Sequence, residues 1–321
     1  IDVPTPQEGA KEILIRVHSC ATCGTDAKIY NHGHPRLKPP QIIGHEIAGE
    51  IISIGSEVKG YAIGDRVQVI AAIPCGTCWL CLAGRMTICG NQLSMGYQFP
   101  GGFAEYKVHR SDGVFSVGDA PWDQAALAEP LSCAIHAARL LGARLGDTAV
   151  VFGAGTMGLL NLMVLKMSGL RVGVVDVNEG RLAKAKTLGA DVILRSGTDI
   201  RDRVKAAFLG GVDYSIAAYG SEEVNQDALD VLNARGKICL FASAHPVTPF
   251  SIDPNLMHNR ETSAVGVVSA DRRDHAVATN LIATGQIDLS PIIDATFPIL
   301  DAAEAFHRAT SAPSYRVMLN P

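Results

Sequence analysis

The chain has 321 residues, more than one ordinary hydrophobic core accommodates, so two domains are expected. Hydrophobic residues make up 47% and charged residues 19%, a balance that excludes a disordered chain. A formal net charge of -4 offers no basic field to nucleic acid, and no apolar run approaches the ~20 residues of a bilayer span, so neither partner is expected.

The opening, IDVPTPQEG, has neither a basic start nor an apolar stretch and predicts no leader. Short β-like runs follow at 12–17, 47–54 and 65–70, broken by Gly55, Gly60 and Gly64. They predict a β-rich, barrel-like domain over residues 1–130. From Leu131 strands (148–152, 172–175, 192–194, 212–217, 237–241, 262–267) alternate with helices (156–168, 179–188, 222–232). That alternation predicts βαβ units around a parallel sheet over 131–269. A helix after Ala270, a second at 301–309 and a strand at 315–319 are assigned back to the first domain, as its segment 270–321. The expected fold class is therefore α/β, a β-rich domain carrying an inserted doubly wound sheet.

The segment TAVVFGAGTMG sets Gly153, Gly155 and Gly158 between a strand and a helix, with Thr156 and Met157 opening the helix. The first glycine permits the tight turn, the second lets backbone approach a pyrophosphate, and the third lets helix pack on strand. The helix N-terminus supplies free N–H groups for phosphates. The next strand ends in Asp176, near the ~20-residue spacing of a ribose-binding acid, and Arg181 follows to flank the adenine. A carboxylate there repels a 2′-phosphate, so NAD is the expected cofactor. The competing reading of Asp176 is a cap for the following helix.

Four of the eight cysteines, Cys75, Cys78, Cys81 and Cys89, form a CxxCxxCx7C pattern. Four thiolates close a tetrahedron, so a structural Zn²⁺ is expected. An iron–sulfur cluster also takes tight cysteine runs, but no proline follows the fourth cysteine. The clustering fits a reduced, cytoplasmic setting better than a disulfide framework. Three further pieces offer a second metal site: Cys23 in SCATCGTD, His45 and Glu46 in GHE, and Glu129 in AEPLSCAIHA. A catalytic zinc keeps three protein ligands and one exchangeable position.

In this order, Cys23-Gly-Thr25-Asp26, Gly44-His45-Glu46, the cysteine lobe, Gly64-Asp65-Arg66-Val67 and GAGTMG resemble the medium-chain zinc alcohol dehydrogenases over nearly the whole chain. The resemblance implies a GroES-like catalytic domain and an inserted Rossmann domain. It also implies that Ile1 stands at the equivalent of an internal strand, after the family's first short strands, and that the enzyme is a homodimer or homotetramer. Within the family the pattern looks most like the polyol (sorbitol-type) and threonine dehydrogenase branch, where Glu46 completes the metal site and Glu129 binds the zinc directly or through water. CGTDAKIYN resembles the threonine enzymes, whereas Val268 and Ser269 replace the aromatic and arginine of the sorbitol type.

The resemblance thus implies NAD-linked oxidation of a secondary alcohol to a ketone, with a polyol as the expected substrate. L-Threonine and a sugar-alcohol phosphate are the alternatives. The Thr25 hydroxyl, two residues after a ligand, is expected to take the substrate proton; its plainer role is a turn hydrogen bond. Cys20, Cys133 and Cys239 are expected to be buried, inert thiols, His136 to pack in its helix, and His32 and His34 to lie in a solvated loop. A metal-free reductase on this scaffold would not need both metal sets. A zinc-ribbon binding module is opposed by the acidic balance and the nucleotide motif.

Overall fold

The computed structural model describes residues 3–244, 247–311 and 313–321; the first two residues of the opening lie outside them. The chain divides into two compact units, Ile1–Ser132 with Ala270–Pro321, and Cys133–Ser269. No helix among the described residues is long and apolar enough to cross a membrane.

The first stretch holds β1 (Glu12–Ala21), α1 (Gly24–His32), β2 (Glu46–Ile54), β3 (Arg66–Val69), β4 (Ala72–Ile73), α2 (Trp79–Leu82), β5 (Leu93–Ser94), β6 (Tyr106–Arg110), β7 (Val114–Ser116), α3 (Trp122–Ala126) and α4 (Ala128–Leu141). β1 runs four residues beyond the expected strand and remains buried to its end, with Cys20 and Ala21 inaccessible to solvent. Ile13, Ile15 and Val17 of β1 pack with Ile47, Ile51 and Val67 into one core.

The second unit adds β8 (Thr148–Phe152), α5 (Thr156–Met167), β9 (Arg171–Asp176), α6 (Glu179–Thr187), β10 (Val192–Arg195), α7 (Ile200–Ala207), β11 (Val212–Ala217), α8 (Glu222–Asp230), β12 (Leu232–Leu240), α9 (Pro254–Arg260) and β13 (Ser263–Gly266). Its six strands are parallel, in the order β10-β9-β8-β11-β12-β13. That is the doubly wound order, whose chain reversal lies between β8 and β11. Strands covered on both faces read as continuous apolar runs, as TAVVF does in β8. Helices α7 and α9 were not foreseen, and α8 stops two residues early because Leu232 already belongs to β12. β12 then carries an irregularity: its pairing with β11 jumps from Val212↔Leu232 to Tyr214↔Lys237, and Arg235 in the gap has a φ of 64°.

The tail supplies α10 (Arg272–Ala283), β14 (Ile293–Pro298), α11 (Ala302–Thr310) and β15 (Arg316–Asn320). β15 joins the first unit's seven-stranded sheet, whose main path runs β14-β15-β1-β2-β3-β7, with β6 also pairing to β1. The register matters for function. Ala21 of β1 faces Glu46 of β2 on one side and Met318 of β15 on the other, so the end of β1, the start of β2 and the middle of β15 lie side by side just before α1.

Candidate active site and metal centres

Cys23 is the N-cap of α1, two residues past the end of β1. Asp26, in the first turn, accepts the Cys23 backbone N–H at 2.9 Å through Oδ2 and so fixes the cysteine at the helix mouth. Its other oxygen accepts the Gly44 N–H at 3.1 Å and faces His45 Nδ1 at 3.3 Å. A buried carboxylate on one ring nitrogen fixes the imidazole's orientation and leaves the other nitrogen for a ligand. Asp26 was absent from the expected site residues, although the Cys23-x-x-Asp26 spacing carries the capping signal.

Glu46, the first residue of β2, is fully buried. One oxygen, Oε1, accepts from Arg316 Nη2 at 2.6 Å, whereas Oε2 has no hydrogen-bond partner among the described residues. Arg316 stands 3.9 Å from Cys23 Sγ. It was also missed, because nothing in the local sequence marks an arginine 270 positions from its partner.

A donor atom from each of Cys23, His45 and Glu46 lies within 4.8 Å of the others. Their set of sulfur, nitrogen and oxygen donors suits zinc. The partnerless Oε2 is the structural sign that a cation belongs here, since a buried acceptor left unmade is costly. Burial alone pushes the Cys23 thiol up, but Arg316, together with His45, outweighs it and brings the thiol down to about 7. Burial is the largest single influence on His45 and pushes it down, but Asp26 and Cys23 together outweigh it and hold the imidazole well above its usual value. Burial raises Glu46 well above the carboxylate range despite Arg316, and raises Glu129 as well.

Glu129 lies in the first turn of α4 and is buried, outside the three-residue donor cluster but near enough to act electrostatically on Glu46 and Arg316. Thr25 is half-buried in the first turn of α1, two residues after Cys23.

The second cluster is Cys75, Cys78, Cys81 and Cys89, all free thiols. Their sulfurs are separated by 3.9 Å (Cys75–Cys81), 3.5 Å (Cys78–Cys81), 3.8 Å (Cys78–Cys89) and 3.5 Å (Cys75–Cys89). A tetrahedron with zinc–sulfur bonds of about 2.3 Å has edges of about 3.8 Å, so the four fit one ion and no disulfide. Backbone N–H groups of Thr77 and Cys78 hold Cys75 down, to about 6, whereas burial pushes Cys81 up to about 12.

In the second unit, Gly153 turns with a φ of 104° and donates its N–H to Val175. A Cβ on Gly158 would sit 1.8 Å from the Gly153 carbonyl oxygen, so helix and turn touch backbone to backbone there. Gly155, the N-cap of α5, has nothing within 4 Å of the same position, which leaves open space at the helix mouth. Thr156 is buried and Met157 half-buried just inside it. Asp176 is buried at the end of β9; it accepts the N–H of Ala154 at 2.7 Å and that of Asn178 at 2.8 Å. Asn178, not Asp176, caps α6, by accepting the Arg181 N–H. Arg181 Nε is buried without a hydrogen-bond partner among the described residues.

Of the residues expected to be inert, Cys20 and Cys239 are buried, but Cys133 is only half-buried. His136 is buried and bonds Arg139 at 2.8 Å. His32 is exposed, whereas His34 meets the Tyr97 ring edge-on at 4.5 Å, so only one of the pair is fully solvated.

The alcohol dehydrogenase GroES-like domain matches residues 9–119, and the zinc-binding dehydrogenase domain matches residues 156–284. An L-threonine 3-dehydrogenase of Aeromonas salmonicida (strain A449) is 33% identical over 327 residues, covering 99% of this chain and 94% of its own. A zinc-binding dehydrogenase of Sinorhizobium meliloti 1021, bound to NADP, superposes with a TM-score of 0.91 at 28% identity, over 99% of this chain and 94% of its own. An alcohol dehydrogenase of E. coli CFT073 complexed with NADH gives 0.91 at 26%, over 100% and 95%. Both domains and the near-complete match to a relative place this chain in the medium-chain zinc-dependent alcohol dehydrogenase family of oxidoreductases.

Proposed function

We propose that the enzyme oxidises a small secondary alcohol to the ketone, passing a hydride to NAD. Residues 1–130 with 270–321 act as the catalytic domain and 131–269 as the cofactor domain. The observation that carries this reading is the convergence of half-buried Cys23 and His45 with buried Glu46, one of whose carboxylate oxygens has no hydrogen-bond partner among the described residues. These residues would hold a catalytic zinc, and the four-cysteine lobe a structural one. A zinc ion so held supplies Lewis acidity, which lowers the pKa of an attached water from 15.7 to about 7 in favourable sites.

The chain's own residues supply the rest. Asp26 orients His45 and anchors the helix that presents Cys23. The Thr25 hydroxyl takes the substrate proton and hands it outward. Glu129 adds a second buried acid that tunes the cluster's charge. Gly153, Gly155 and Gly158, with Thr156 and Met157, shape the pyrophosphate cradle at the mouth of α5. Asp176 receives the ribose hydroxyls; each of its oxygens, though engaged by a backbone N–H, keeps a further lone pair. Arg181 flanks the adenine.

For the substrate, the 33% identity to an L-threonine 3-dehydrogenase favours L-threonine over the polyol expected from the sequence. Both are secondary alcohols, and the chemistry at Cys23, His45 and Glu46 is the same. The test is NADH formation with zinc-loaded protein, across L-threonine, sugar alcohols, butanediol and a sugar-alcohol phosphate, each with NAD and NADP. Chelator-sensitive turnover of one of these with NAD supports the reading. A protein that binds zinc and NAD yet reduces no cofactor with any secondary alcohol would overturn it.

A further inference from the structure

Arg316 is buried, and one nitrogen of its guanidinium, Nη2, meets two members of the donor cluster, Glu46 Oε1 at 2.6 Å and Cys23 Sγ at 3.9 Å. It comes from the last strand of the chain, and no motif announces it. Its surroundings are acidic on several sides: Glu46, Cys23, Glu129 and Asp26 all act on it. A buried cation is normally tolerated only where its charge is matched.

We propose that Arg316 is a positioning residue for the catalytic metal: it clamps Oε1 of Glu46 so that Oε2 is left bare and aimed for ligation, and it substitutes for the metal's charge in the metal-free protein. This rests on the reading of Cys23, His45 and Glu46 as the metal site. Three observations carry it. The two Glu46 oxygens are used unequally, one clamped and one partnerless, as a carboxylate bridging a guanidinium and a metal must be. The same guanidinium reaches the cysteine sulfur, so a single cation holds two of the three donors together before any metal arrives. Finally, β15 and β2 flank β1, so Arg316 is delivered by sheet register, from a rigid strand rather than a loop.

The consequence is a donor set that stays assembled without zinc and gains affinity from being assembled. Outer partners of this kind change metal affinity by about 10- to 100-fold. If Arg316 merely stapled β15 to β2, its loss would lower stability equally with and without zinc at this site, leaving zinc affinity unchanged.

The experiment measures zinc affinity by chelator competition, counting both zinc ions, in wild type, Arg316→Met, Arg316→Lys and Glu46→Gln. Arg316→Met is expected to weaken the second zinc by at least 10-fold while the four-cysteine zinc stays bound. Arg316→Lys, which keeps the charge but replaces the planar guanidinium with a shorter-reaching ammonium, is expected to fall between. In the double variant Arg316→Met/Glu46→Gln the losses should not add, because both changes break one clamp. Melting of the zinc-free protein should fall further on Arg316→Met than melting of the loaded protein. Unchanged affinity for the second zinc in a folded Arg316→Met protein overturns the inference. If the Met variant does not fold, unchanged affinity in Arg316→Lys overturns it equally. A wild-type protein that takes up only the four-cysteine zinc overturns the metal-site reading, and the inference with it.

Discussion

Alanine at Gly158 would place a methyl carbon 1.8 Å from the Gly153 carbonyl oxygen, whereas alanine at Gly155 would meet nothing within 4 Å. The two glycines stand three residues apart in one motif, yet their replacement should fail differently. At Gly158 the obstacle is backbone, so α5 or the turn must shift by more than an ångström. Overpacking of this kind costs about 1–3 kcal/mol. For a unit of about 140 residues, Cys133–Ser269, 2 kcal/mol lowers the melting temperature by about 7 °C; if the whole chain unfolds together, by about 3 °C. At Gly155 the backbone angles, φ −73° and ψ −176°, suit any residue. Alanine is a poorer N-cap than glycine, a loss of at most about 1 kcal/mol, partly offset by a stiffer unfolded chain. Its methyl group instead enters the open mouth of α5, proposed as the pyrophosphate cradle. Gly155→Ala should therefore keep the melting temperature within about 3 °C of wild type and lose NAD affinity at least 10-fold. Gly158→Ala should lose both. Melting curves with and without NAD, with binding by calorimetry, separate the cases. A Gly155→Ala protein that binds NAD normally would refute the assignment of this helix mouth to the pyrophosphate.

Three further outcomes are expected. Cys23→Ser should abolish turnover while far-UV circular dichroism and the four-cysteine zinc persist; retained activity would remove Cys23 from the site. Cys78→Ser should instead release the lobe's zinc and lower stability or alter assembly; normal melting with only turnover lost would reverse the two roles. Burial, reinforced by Lys107, holds His109 down at about 4 against the opposing pull of the Arg110 and Ile70 carbonyls. The unfolded chain then takes up this proton first, near pH 6.5, so His109 contributes stability above that pH which is lost as pH falls towards 4. The loss is about 3 kcal/mol at most. Urea denaturation between pH 6.5 and 4 should show a flatter pH dependence in His109→Gln than in wild type; parallel slopes would contradict the buried, neutral histidine.

Cys23, His45, Glu46 and the four lobe cysteines were legible because metal donors are few in kind and their spacings short. The glycine turn was legible because it sits between a strand and a helix. Arg316 was not, since its role comes from the pairing of β15 with β1, a contact between the two ends of the chain. Asp26 was readable in principle from its position three residues after Cys23, but a first-turn acid is usually a helix cap, and here it is a cap and more. Helix α7 escaped because IRDRVKAA buries only Ile200 and Val204 deeply, too few points to show a period. The early end of α8 escaped because the expected helix was carried through Leu232, whereas in the structure that residue opens an irregular strand with Arg235 in left-handed conformation.

The most direct measurement is zinc stoichiometry, in wild type and Cys23→Ser, paired with NADH formation in the same preparations. Two zinc ions per wild-type chain, one in the variant, and NAD reduction by a secondary alcohol only in the wild type are the expected results. One zinc per wild-type chain, or undiminished NAD reduction in Cys23→Ser, would contradict the account.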